Sequence, residues 1–141
     1  DTETAEQLRH HHAREIDIVQ LSLSINNNNN SNTSSSLTRP TLESFLAALP
    51  TDQVYRVKGF IRLIGHGNNN DDDGGSGLWI INSAFGRCTL VRAQREHPSA
   101  TDYTIRVTIM GQDLRLLLTR LTEGFDLPND LDHVQCYWRQ Q

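Results

Sequence analysis

A chain of 141 residues is long enough to bury a core of its own and fits one domain. Its hydrophobic share of 36% is low because two tracts, Asn26 to Ser36 and Gly65 to Gly77, hold no apolar residue. The formal net charge of −4 argues against a nucleic-acid or anionic-membrane binder, and no apolar run approaches the ~20 residues of a membrane span.

Residues 1–13 are polar and contain the run His10, His11 and His12, which reads as a disordered linker end. The start at Asp1, without Met or an apolar leader, suggests a fragment of a longer protein. Residues 14–141 are expected to form the domain, with residues 26–36 and 65–77 as low-complexity insertions. The first strand is predicted over Arg14 to Ile25. Ile16 and Ile18 share one parity and Leu21, Leu23 and Ile25 the other, which suggests a bulge near Val19 and Gln20.

Pro40 suits the first turn of a helix, where a missing N–H costs nothing. Leu42, Phe45, Leu46 and Leu49 then form one apolar stripe, closed by Pro50. Gln53 to Ile64 alternates as a strand, with Val57, Gly59, Ile61 and Leu63 on one side and Arg56, Lys58, Phe60 and Arg62 on the other. Leu78 to Phe85 and Cys88 to Ala93 read as a hairpin turning near Gly86. Asp102 to Met110 follows as a strand with Ile105, Val107 and Ile109 inward and Arg106 and Thr108 outward.

After Gly111 the period becomes helical. Leu114, Leu117, Leu118 and Leu121 form a second stripe that ends at Gly124. Asp132 to Arg139 is a candidate last strand or docking arm. This succession predicts an α+β fold, a mainly antiparallel β-sheet with two amphipathic helices packed on one face and the strands largely in hairpin order.

Chemistry-bearing motifs are sparse. No GxxxxGK[ST] is present to cradle nucleotide phosphates, so the chain is not expected to be a GTPase itself. As a calcium loop, the stretch starting at Asn69 places Gly74 correctly at the sixth position, but Ile80 stands where a bidentate Glu is needed. Cys88 and Cys136 have no CxxC spacing and read as reduced thiols, Cys88 as a small core residue at a strand start. His10, His11 and His12 are the candidate metal ligands, weak ones, since adjacent imidazoles in an extended chain point to opposite sides. The remaining candidate site is a surface. Arg56, Lys58, Phe60 and Arg62 form a basic, partly aromatic row that Arg106 and Arg92 are expected to join, suited to an acidic partner or a neighbouring domain.

Three segments together resemble a known family. They are LESFLAALP (42–50), VYRVKGFIRL (54–63) and RVTIMGQDLRLLLTRL (106–121). A short helix leading into a strand with Arg56, Lys58 and Gly59, and a late strand ending in Gly111, Gln112, Asp113 and Leu114 before a helix, are similar to the carboxy-terminal domain of CobW-like P-loop GTPases. The resemblance covers roughly Glu15 to Phe125. It implies a non-catalytic accessory domain of a cytoplasmic, GTP-dependent metallochaperone, partnered by the GTPase domain of the same parent protein and by a metal-receiving client. Zinc or cobalt would then be handled through the parent protein, with no cofactor in this chain. The alternative is an independent small ligand-binding or enzymatic α+β domain with a pocket beside the sheet.

Overall fold

The computed structural model describes residues 16–24, 37–64, 77–94, 102–128 and 131–139. The expected linker end at 1–13, the insertion at 26–36 and all of 65–77 except Gly77 lie outside the described residues.

Six strands make one antiparallel sheet: β1 (Asp17–Ser24), β2 (Val54–Leu63), β3 (Gly77–Ala84), β4 (Arg87–Arg92), β5 (Tyr103–Gly111) and β6 (Val134–Tyr137). Helix α1 (Arg39–Ala47) lies between β1 and β2 in sequence. A 3-10 turn (Leu114–Leu117) leads directly into α2 (Leu118–Gly124), and a second 3-10 turn (Leu131–His133) precedes β6. The expected α+β class is therefore observed, and no described helix is long and apolar enough to cross a membrane.

Spatial order in the sheet is β4-β3-β2-β5-β1-β6. Only β2, β3 and β4 follow the expected hairpin succession. β5, the most regular alternator, inserts between β2 and β1, where its core residues Ile105, Val107 and Ile109 are at most 1% exposed. The tail adds β6 as an edge strand on β1, with Val19 opposite Cys136 and Leu21 opposite Val134.

The α1 stripe behaves as its spacing predicts. Thr38 caps the helix, its Oγ1 accepting the Thr41 N–H at 3.4 Å, and Pro40 occupies the first turn. Leu42, Leu46 and Leu49 are buried, and Phe45 meets Phe125 edge-to-face with ring centroids 5.0 Å apart. From the other helical segment Leu114, Leu117 and Leu121 join the same cluster, so both helices cover one face of the sheet. Leu114 and Leu117 are spaced by three, which suits a 3-10 ridge, so the expected single helix begins as a tighter turn. The left-handed residue that ends α2 is Asp126, with φ of 62°, not Gly124.

Two expectations are corrected. β1 keeps one parity, with Asp17, Val19 and Leu21 buried, and its irregularity falls between Leu23 and Ser24 instead of near Val19. Ile18 consequently belongs to the opposite face, beside Met110. Cys88 is exposed, not a core residue, because β4 is the edge strand of the sheet.

Candidate functional site

The face of the sheet opposite the helices carries the predicted row. Arg56 and Lys58 are exposed, and Phe60 and Arg62 half-buried, along the second strand. Register then adds neighbours, because residues opposite each other in a ladder share a face. Phe60 pairs with Arg106 on β5 and with Ile80 on β3, and Ile80 pairs with Val91 on β4. A transverse row Val91–Ile80–Phe60–Arg106 results, in which Ile80 is 46% and Val91 53% exposed. Leu78 sits opposite Arg62 on the same side and is buried outside the helix-side core cluster.

The structure thus brings Arg56, Lys58, Phe60, Arg62 and Arg106 onto one surface. Arg92 does not join them. It pairs with Trp79, which packs in the helix-side core, so its side chain belongs to the other face. Arg87 takes that place, opposite Ala84, which in turn lies opposite Arg56. The two-residue turn explains the exchange: Phe85 and Gly86 both have positive φ, 50° and 85°, the geometry of a tight hairpin that fixes which β4 residues face which way.

Five cations, Arg56, Lys58, Arg62, Arg87 and Arg106, therefore lie on this face, and none of its described strand residues is Asp or Glu. In a chain of net charge −4 that is a segregation of charge. Two of the cations are also anchored. The Arg62 Nε–H donates to the Tyr103 carbonyl at 3.1 Å, and the Arg106 guanidinium lies 5.0 Å from the Tyr103 ring centroid. Arg56, Lys58, Arg87 and Arg106 are exposed, and Arg62 is half-buried.

At another corner of the domain, the Gly-Gln-Asp-Leu segment forms a joint. A Cβ on Gly111 would sit 1.8 Å from the Gln53 carbonyl oxygen, so only glycine lets β5 pass so close. The Gln112 N–H donates to that same carbonyl at 2.8 Å. Asp113 is left-handed, with φ of 56°, and turns the chain into Leu114. The Leu114 N–H then donates to Oδ2 of Asp17 at 3.0 Å, while Oδ1 accepts the Arg139 N–H at 2.6 Å. The Arg139 guanidinium closes on Asp113 at 3.0 Å, and Arg115 stacks 4.6 Å from the Trp138 ring. Asp17, only 4% exposed, is the hub of this joint, and sequence reasoning missed it.

A cleft of about 180 Å³ opens among Asp17, Asp113, Arg115, Leu116, Trp138 and Arg139. The carboxylates around it already accept hydrogen bonds from Leu114 and from Arg139, which makes the corner a clasp for the tail. Partial desolvation raises the Cys88 thiol above its ordinary value, and the nearby Glu43 carboxylate adds to this. Desolvation also raises Cys136, with Arg115 opposing and Asp17 reinforcing the shift. Activated cysteines are shifted the other way.

The candidate metal ligands His10, His11 and His12 lie outside the described residues. Among the described residues no group of three or more His, Cys, Asp or Glu side chains is arranged to hold a metal ion. Cys88 and Cys136 stand on opposite edge strands, roughly 24 Å apart at the usual strand spacing, so they share neither a disulfide nor an ion.

Comparison with protein-family models, with curated proteins and with solved structures yields no match for this chain.

Proposed function

We propose that the chain is a non-catalytic interaction domain, the carboxy-terminal module of a CobW-like, GTP-dependent metallochaperone that works in the cytoplasm. Its task is to recognise a metal-receiving client or to position the GTPase domain. The observation that carries this reading is the sheet face opposite the helices: five cations, no carboxylate among its described strand residues and a half-exposed row of Ile80, Val91 and Phe60, within an acidic chain. Charge of one sign orients and steers an acidic partner, and the apolar row supplies a contact that charge alone does not. The family part of the reading is supported by the order of its segments. α1 runs into a strand bearing Arg56, Lys58 and Gly59, and β5 runs through Gly111, Gln112, Asp113 and Leu114 into α2.

The rival, a ligand-binding or enzymatic domain with a pocket beside the sheet, finds no support in the cleft at Asp17. Small-molecule sites usually enclose roughly 300–1,000 Å³, and the cleft at Asp17 is about 180 Å³ with its charges engaged to one another.

The test is charge reversal at the exposed positions. Arg62 is unsuitable because its guanidinium holds a backbone carbonyl. Arg56→Glu combined with Lys58→Glu is expected to leave the fold intact, since exposed substitutions typically shift stability by about 0.5 kcal/mol. Association with the GTPase domain of a CobW-like protein should weaken roughly tenfold or more at low ionic strength, and less at high salt. Equal calorimetric binding by wild type and variant would reduce the face to solvated sheet. Failure of the wild type to bind any such GTPase domain would remove the family reading.

Metal handling in this proposal belongs to the parent protein, with zinc or cobalt as cargo. Zinc binding by this chain should be weak and should depend on His10, His11 and His12, because a closed structural zinc site needs four preorganised ligands. Titration calorimetry of the triple-alanine variant checks this. Unchanged zinc binding would place the metal on other residues.

A further inference from the structure

The edge of the sheet next to the basic face has its own geometry. The Ala93 N–H donates to the Leu78 carbonyl at 2.9 Å, which makes 78 and 93 a hydrogen-bonded pair of the β3–β4 ladder. Hydrogen-bonded and non-hydrogen-bonded pairs alternate in an antiparallel ladder. Arg87, Thr89 and Val91 therefore bond inward to β3, and Cys88 and Leu90 direct their N–H and C=O groups outward. No described strand lies beyond β4.

Exposed edges are usually blunted by proline, by charged side chains (lysine above all), by a bulge, by extreme shortness or by a covering helix or loop. The sequence of β4, Arg-Cys-Thr-Leu-Val-Arg, has no proline, carries charge only at its two ends, and pairs with β3 without a register shift over six residues. The other edge, β6, is four residues long and is followed by Trp138 and Arg139, which are held in the clasp. Of the two edges, β4 is the one built to accept a strand.

We propose that β4 is a strand-addition site for an extended segment of the partner protein, in which acidic residues alternate with apolar ones. It rests on the reading of the basic face as a docking surface and adds how the partner lies on it. Residues of the added strand next to Thr89 fall on the open side, bordering Arg87 and continuing the row from Val91, so acidic side chains suit them. Residues next to Cys88 and Leu90 fall on the helix side. There Leu90 is half-buried against the core, α1 packs on β4, and the Glu43 carboxylate makes a second acid unwelcome, so apolar side chains suit those positions. A second copy of this chain is a poor occupant, because pairing through β4 would set two basic faces side by side in one continuous sheet.

The probe is a short synthetic peptide of strictly alternating Glu and Val. The controls are a scrambled peptide of the same composition and one with Lys in place of Glu. The alternating peptide is expected to bind the intact chain and to slow amide exchange at Cys88 and Leu90 at least tenfold, while Thr89 and Val91, already bonded to β3, change little. Cys88→Pro removes an outward N–H without removing a bond to β3 and should weaken peptide binding about tenfold. Unchanged exchange at Cys88 and Leu90 under saturating peptide overturns the proposal, and this measurement needs no variant. So does dimerisation of the chain through β4. If the scrambled peptide binds as well as the alternating one and both depend on Arg56 and Lys58, strand addition fails while the basic docking face stands. If no acidic peptide binds, strand addition falls, and the Arg56/Lys58 reversal assayed with the GTPase domain decides the face independently.

Discussion

Gly59→Ala should be among the most destabilising single-methyl changes available in this chain, lowering stability by about 3–5 kcal/mol and the unfolding midpoint by roughly 10 °C or more. Gly59 sits mid-strand in β2, with β3 on one side and β5 on the other. Its φ of 154° would turn a Cβ into the plane of the sheet, to 2.1 Å from the Arg106 carbonyl oxygen and 2.7 Å from the Val107 Cα. Both are backbone atoms of a central strand and cannot swing aside as the end of a side chain could. Relief requires β2 and β5 to part at the point where Phe60 meets Arg106, so the docking row should loosen along with the core. Thermal unfolding by circular dichroism gives the answer. An unfolding midpoint within a degree or two of wild type would mean that the two strands do not approach so closely at Gly59.

That glycine also marks how far the sequence alone leads. The alternation through Val57, Ile61 and Leu63 identifies a strand and its buried side, because period-two patterning is local and strong. The α1 stripe and its Thr38–Pro40 start are legible for the same reason. Alternation also places Gly59 on the core side, but it does not say why no side chain stands there. The reason is a carbonyl almost fifty positions later in the chain, brought close only by the insertion of β5 between β1 and β2. The exchange of Arg92 for Arg87 on the basic face has a similar origin. A one-residue change of register sends every side chain of a strand to the other face, and the register of β4 is set by the Phe85–Gly86 turn, whose conformation a strand pattern does not encode. Four of the five basic-face cations, Arg56, Lys58, Arg62 and Arg106, were readable because they sit on β2 and β5, the two strands with the cleanest alternation.

Asp17 is the clearest case of a residue hidden from sequence reasoning, and its removal should be costly. An aspartate between Ile16 and Ile18 looks like the polar side of a strand. In the fold it takes the core side at 4% exposure, which is tolerable because both carboxylate oxygens are occupied. The donors, Leu114 N–H and Arg139 N–H, lie 97 and 122 residues further along the chain, so no local pattern announces them. Asp17→Ala deletes both acceptors and strands two amides, at about 1–3 kcal/mol each. Asp17→Asn keeps one carbonyl acceptor and should cost about half as much. The loss should be felt first in the tail. Arg139 would keep only its side-chain bridge to Asp113, which is partly exposed and worth about 1 kcal/mol or less. β6 should then fray from β1, and the Arg115–Trp138 stack should open with it. Urea unfolding measures the total, and the fluorescence of Trp138 in a Trp79→Phe background measures the tail separately. At temperatures where the variant is folded, binding through Arg56 and Lys58 should remain as in wild type, because the clasp and the basic face share no residue. Stability within 1 kcal/mol of wild type in Asp17→Ala would show that the tail is held without the carboxylate, and weakened binding in the folded variant would tie the clasp to the docking face after all.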